Sequence, residues 1–310
     1  MNKLKPLPEE WSGLLNNEQK EAIENINGPL LIIAGAGSGK TRVLTYRYAH
    51  LIKTYGINFE NVLAITFTNK AANEMKDRIS DLLNLELSPK WISTFHSLCV
   101  KMLRIHGHLI GFNNNFTIYD QSDSTKLVRN CMRDSDIDTK QYSPKRIQAH
   151  ISSLKNQRIL PGEAVEFAQS FFDVKVAEIY SSYQKKLMLA NSMDFDDLLI
   201  KAVELLETSD KSLNYWSSKF QYIMIDEYQD TNMVQYRLVE LLASKHKNIC
   251  VVGDSDQSIY AFRGADIRNI EEFESDFKNA KVISLEKNYR SSQKILDIAN
   301  AVISNNPRKK

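Results

Sequence analysis

Three glycines, Gly35, Gly37 and Gly39, fall within five residues of a chain that has only 11 in all. They belong to the run Ala34-Gly35-Ala36-Gly37-Ser38-Gly39-Lys40-Thr41, which follows the apolar residues 30–33 and precedes a helical pattern over 43–51. A glycine loop between strand and helix leaves backbone N–H groups open to phosphate oxygens, and the helix dipole adds to their pull. There the Lys40 ammonium would reach the β- and γ-phosphates, and the Thr41 hydroxyl would take one place on Mg²⁺. Ala34 stands where the strict phosphate-loop pattern has its first glycine. The loop predicts binding of a nucleoside triphosphate and nothing narrower.

A second reactive set closes another apolar run, where residues 222–225 are followed by Asp226 and Glu227. An aspartate at a strand end can hold Mg²⁺, and an adjacent glutamate can take a proton from attacking water. The pair points to hydrolysis rather than to binding alone. A polar turn after residues 249–252 carries Gln257, which a parallel sheet would bring to the same edge, near a γ-phosphate.

These groups meet only if the runs that carry them share one sheet. The runs at 30–33, 62–67, 91–95, 222–225, 249–252 and 282–285 have the length and continuity of strands buried on both faces. Helical periodicity between several of them predicts an α/β parallel sheet. From about 111 to 218 no such run occurs, while helical patterns cover 126–132, 146–154, 165–172, 176–189 and 195–206. A structureless loop of that length is untenable in a compact domain, so a mostly helical insertion is predicted.

At 310 residues the chain has room for two domains of roughly 150 residues each. Its 40 basic and 38 acidic side chains nearly cancel, so a nucleic-acid partner must be met by local patches. Cys99, Cys131 and Cys250 lie far apart among apolar residues with no CxxC pair. That reads as reduced core thiols in a cytoplasmic protein rather than a disulfide framework or a zinc site. No uncharged apolar run reaches the roughly 18 residues of a membrane span, and residues 1–10 lack an apolar signal core, so neither membrane insertion nor secretion is expected.

Seven segments now stand in an order that resembles a known family. They are Asn17-Glu18-Gln19, Gly35 to Thr41, Ile65-Thr66-Phe67-Thr68-Asn69-Lys70-Ala71-Ala72, Trp91-Ile92-Ser93-Thr94-Phe95-His96-Ser97, Asp226-Glu227-Tyr228-Gln229-Asp230-Thr231-Asn232, Gly253 to Asp266, and Asn288-Tyr289-Arg290-Ser291. Together they resemble the motifs of the Rep/UvrD/PcrA group of superfamily 1 DNA helicases, over essentially the whole chain. The resemblance implies a RecA-like P-loop ATPase sheet interrupted by a helical insertion. The ATPase domain would comprise 1–110 and 219–285, the insertion 111–218, and the start of a second RecA-like domain 286–310. The chain then resembles the N-terminal part of a longer helicase, which uses ATP and Mg²⁺ to move 3′ to 5′ on single-stranded DNA and open duplex in repair and replication.

Position by position, the resemblance implies that Gln19 reads adenine and that Arg42 and Tyr289 flank the base. Lys40 and Thr41 would serve the phosphates and Mg²⁺, Asp226 would bind Mg²⁺ and Glu227 would activate water. Gln257 would sense the γ-phosphate and couple it to DNA. Arg290 resembles the arginine finger of the second domain, a role worth about 10³ to 10⁵ in rate. A competing reading is a nucleotide- and DNA-binding module without efficient turnover.

Single strands are held on aromatic platforms flanked by cations, each stacked base contributing about 1–3 kcal/mol. Phe67, Tyr260 and Phe262 sit just beyond strand ends, beside Lys70 and Arg263, and are the predicted platforms; the family commonly has Trp at the position of Phe262. Thr94 and His96 match family residues that touch the DNA backbone. Single-stranded DNA and its junctions with duplex are the expected partners, met by a monomer. Two acid-free runs, 139–162 with Lys140, Lys145, Arg146, Lys155 and Arg158, and 87–119 with Lys90, Lys101 and Arg104, are further candidates for backbone contact. Asp194, Asp196 and Asp197 precede an apolar helical run and are expected to cap that helix rather than to bind metal.

Overall fold

A computed structural model describes residues 4–84, 89–260 and 264–305. In it α1 (Glu9–Ser12) and α2 (Asn17–Glu24) lead into β1 (Leu30–Ala34), the glycine loop and α3 (Lys40–Lys53). Next come β2 (Val62–Thr66), α4 (Asn69–Leu83), β3 (Ile92–Thr94) and α5 (Phe95–His106). The segment without long apolar runs holds β4 (Thr117–Tyr119), α6 (Gln121–Asp134), α7 (Pro144–Asn156), α8 (Phe171–Leu189), β5 (Ser192–Asp194), α9 (Phe195–Thr208) and α10 (Asp210–Lys219). The chain then returns through β6 (Tyr222–Ile225), α11 (Met233–Ala243), β7 (Ile249–Gly253), α12 (Arg268–Glu271), α13 (Phe273–Asp276), β8 (Lys281–Leu285) and α14 (Gln293–Ile303).

All six predicted strands are present and form one sheet in the order β3-β2-β6-β7-β1-β8, with every pairing parallel. Their side chains alternate between two cores, as the period of a strand requires. Leu31, Leu63, Ile65, Ile223, Ile225 and Val251 enter one core, and Leu30, Ile32, Val62, Ala64, Met224 and Val252 the other. Because the strands are parallel, the turns after β1, β2, β3, β6 and β7 emerge on one edge, where α/β sheets bind their ligands.

Within the segment between β3 and β6, helices α6 to α8 build a core of their own from Val128, Cys131, Ile147, Ile151, Val176, Tyr180 and Leu187, whereas α5, α9 and α10 pack in the core of the sheet. Two departures from the sequence reading occur here. β4 and β5 pair in parallel, Thr117 against Ser192, as a small second sheet that the helical patterns did not announce. The expected helix at 165–172 is turn at 165–167 and irregular up to 170, since α8 begins at Phe171, and the side chains of Val165, Phe167 and Phe171 are exposed. All three cysteines are buried and free. No described helix is long and apolar enough to cross a membrane.

Asp194 caps α9 as expected: its side chain accepts from the Asp197 backbone N–H while the Asp197 side chain accepts from that of Asp194. Both carboxylates also hold the Lys155 ammonium, each at 2.7 Å, and Tyr183 Oη donates to Asp194 at 2.8 Å. Burial opposes the charge on Lys155, but Asp197 and Asp194 outweigh it and hold its pKa above the ordinary lysine value. Lys155 is therefore removed from the expected DNA contacts. Arg158 is likewise engaged by Glu207, and the Arg146 guanidinium lies 4.6 Å from the Phe172 ring centre.

Candidate nucleotide site and adjoining cleft

β1 delivers the chain at buried Ala34, and the loop closes when Ser38 N–H and Oγ both donate to the Gly35 carbonyl, at 3.3 and 2.7 Å. Gly39 caps α3 with φ +96°, and Gly37 has φ +77°, a region that costs an L-residue about 1–2 kcal/mol. The helix that starts at Lys40 therefore points its N-terminus at the loop interior.

Lys40, nearly buried, reaches across the edge to Glu227 Oε2 at 2.7 Å, with Gln257 Oε1 at 3.5 Å. Thr41 Oγ1 donates to Asp226 Oδ2 at 3.3 Å. Burial pushes the Asp226 carboxyl up to about 6; Glu227 adds to the shift and Lys40 opposes it. Glu227 itself has φ +51° and ψ +47°, a strained conformation for a non-glycine residue and one that clusters at functional sites.

Gln229, which no residue-level expectation singled out, organises this edge. Its Nε2 donates to Glu227 Oε2 at 2.9 Å, and its Oε1 accepts from the Asp254 N–H at 3.0 Å. It thus ties the carboxylate beside Lys40 to the turn that carries Gln257. Its position two residues after Glu227 was the available signal, but nothing in the sequence said which way its amide faces. Asp230 Oδ1 is buried without a hydrogen-bond partner, and burial followed by the Glu227 charge raises its pKa to about 6.

Gln19 is buried and bridges α2 to the loop: it completes the capping box with Asn16, and its Nε2 donates to Ser38 O at 3.1 Å. Arg42 is exposed, its guanidinium 5.6 Å from the Tyr46 ring centre. Residues 288–290 lie directly on the loop. Tyr289 N–H donates to Gly37 O at 2.9 Å, Asn288 Nδ2 donates to Ala36 O, and Tyr289 Oη accepts from Asn16 Nδ2 at 2.9 Å. A Cβ on Gly37 would come within 2.6 Å of Arg290 Cβ. All the predicted nucleotide residues thus converge on one corner of the sheet edge.

The expected DNA residues Phe67, Thr94, His96 and Tyr260 line a neighbouring cleft of about 990 Å³, which continues to Lys145, Phe195 and Asn232. Phe67 packs edge-on to Phe95, with ring centres 5.9 Å apart. Thr94 Oγ1 accepts from Ser97 N–H and caps α5. His96 lies 5.7 Å from the Phe195 ring, and burial lowers its pKa. Phe262 and Arg263 lie outside the described residues. Hard oxygen donors at Thr41 and Asp226, one of them a carboxylate, fit a small divalent ion of the magnesium type.

A parallel sheet with a glycine loop feeding a helix N-terminus, faced by an Asp-Glu pair on another strand, defines a P-loop NTPase domain with a RecA-like fold. Residues 15–278 match the family described as the UvrD/REP helicase N-terminal domain. The chain belongs to that family. It is 50% identical over 296 residues to the ATP-dependent DNA helicase PcrA of Staphylococcus aureus (strain NCTC 8325 / PS 47), covering 96% of this chain and 40% of that protein. The PcrA helicase of Staphylococcus epidermidis (strain ATCC 12228 / FDA PCI 1200) is also 50% identical over 296 residues, with 96% and 41% covered. The chain spans about two fifths of the length of these relatives.

Proposed function

We propose that this chain is the nucleotide-hydrolysing part of an ATP-dependent DNA helicase, gripping single-stranded DNA in the cleft beside the ATP site. The observation that carries this reading is the Lys40–Glu227 pair at 2.7 Å, with Thr41 and Asp226 beside it, on the same edge as the aromatic cleft. Lys40 is poised to leave Glu227 for a γ-phosphate oxygen, which frees the Glu227 carboxylate to accept a proton from water. Gln257, within reach of Lys40 and linked through Asp254 to Gln229, would register the γ-phosphate. Thr41 and Asp226 would hold Mg²⁺, which when bound neutralises charge on the phosphate oxygens.

Gln19, Arg42 and Tyr289 would surround the base, and the backbone of Ala34 to Gly39 would receive phosphates. Arg290 would act as the arginine finger. Phe67 and Tyr260 would stack bases while Thr94 and His96 touch the strand. In the whole protein this chemistry would drive 3′-to-5′ movement and duplex opening, from a cytoplasmic monomer working at single-strand junctions in repair and replication.

The test is Glu227→Gln. ATP binding should stay within about threefold, while phosphate release stimulated by an oligothymidylate falls about 10²- to 10⁴-fold, the usual worth of a general base. Equal release by both proteins removes Glu227 from this role. Binding without release by the unaltered chain would instead make it a nucleotide- and DNA-binding module.

A further inference from the structure

One side chain of the inserted segment reaches into the nucleotide edge. Asn156, the last residue of α7, accepts from Asn232 Nδ2 at 2.6 Å. Its own Nδ2 donates to Ser152 O at 2.8 Å and to Asp196 Oδ1 at 3.2 Å. Asn232 ends the turn that begins at Asp226 and Glu227, and it caps α11. One residue earlier, Thr231 O accepts from Asp266 N–H at 2.9 Å and from Asn269 Nδ2 at 3.0 Å. Gly264 covers the amide pair: a Cβ there would lie 3.1 Å from Asn156 Cβ and 3.9 Å from Asn232 Cβ.

Three segments therefore meet on the Asn156–Asn232 amides: the turn after β6, the loop after β7, and the wall of the cleft formed by α7 and the start of α9. Hydrogen-bond networks, like chains of packed side chains, carry coupling between sites when the elements they join have two arrangements. A triphosphate that draws Lys40 away from Glu227 alters the restraint on the 226–232 turn. One path out of that turn runs through Asn232 to Asn156 and on to Asp196, beside Phe195, whose ring centre lies 5.7 Å from that of His96.

We propose that Asn156 is a positioning residue that makes DNA affinity depend on nucleotide, by tying the cleft wall to the turn beside Glu227. The proposal rests on the helicase reading above. The measurement is the affinity of the 310-residue chain for ATP with and without saturating oligothymidylate. In the unaltered chain the two affinities should differ, typically about 5- to 150-fold for coupled sites.

Asn156→Ala should shrink that ratio roughly 2- to 30-fold, while affinity for either ligand alone stays within about twofold. A ratio unchanged by Asn156→Ala overturns the inference alone. So does a loss seen equally in DNA affinity without nucleotide, which makes Asn156 an ordinary contact. A ratio of one in the unaltered chain overturns the coupled reading itself. Amide exchange on the unaltered chain gives an independent check: oligothymidylate should change protection at 226–232, and no change there also overturns the inference.

Discussion

At the scale of single residues, the backbone of Glu227 is strained and the carboxyl of Asp226 is buried, conformational and solvation costs that sit side by side at one strand end. A quieter case lies behind the sheet. His50 is buried with Nδ1 against Thr54 Oγ1 at 2.9 Å and Nε2 without a partner. Burial, followed by the nearby Arg47 charge, depresses its pKa to about 4. Protonation is easier in the unfolded chain, near pH 6.5, so His50 withdraws stability as pH falls from about 6.5 through 4. Urea midpoints should drop across that window, and His50→Gln should flatten the drop. Parallel pH profiles for the two proteins would count against this role.

At the scale of elements, the cap of α9 is also the anchor of α7, because Lys155 joins them from inside. Lys155→Met leaves two carboxylates buried without their cation and should lower unfolding free energy by about 3–5 kcal/mol, as read by urea denaturation. The salt slope of oligonucleotide binding should not change, since no part of that side chain reaches solvent. Gly37→Ala should separate the loop from residues 288–290 and raise amide exchange at 288–291.

The sheet was legible element by element because strands buried on both faces leave unbroken apolar runs. β4 and β5 were not, being three residues long with no apolar run of their own. Residues 165–172 misled because Val165, Ala168 and Phe172 are spaced like a helix face, yet Val165 and its neighbour Phe167 are exposed. Lys155 read as part of a basic surface because the carboxylates that hold it stand 39 and 42 residues further along. For the same reason the loop, Asp226 and Glu227 could be found from local patterns, whereas Gln229 and Asn156 could not. Their roles exist only once distant turns are brought together.

At the scale of the whole molecule, nucleotide corner and aromatic cleft share one edge, so each is within a few side chains of the other. Phe67→Ala should weaken oligothymidylate binding by about 1–3 kcal/mol with little sequence preference. Lys145→Ala should instead reduce the salt slope by about 0.7, one phosphate contact's worth on a single strand. Fluorescence anisotropy over a range of salt separates the two effects.

The strand order also bears on how the protein is made. Among the described residues β1, which carries the phosphate loop, pairs only with β7 and β8, and β7 begins at Ile249. On a ribosome working at about 5–20 residues per second, β1 waits roughly 10 to 45 s for its first partner strand. The phosphate loop is therefore completed long after it is synthesised. A nascent chain should acquire the ability to retain ATP only after β7 has cleared the exit tunnel.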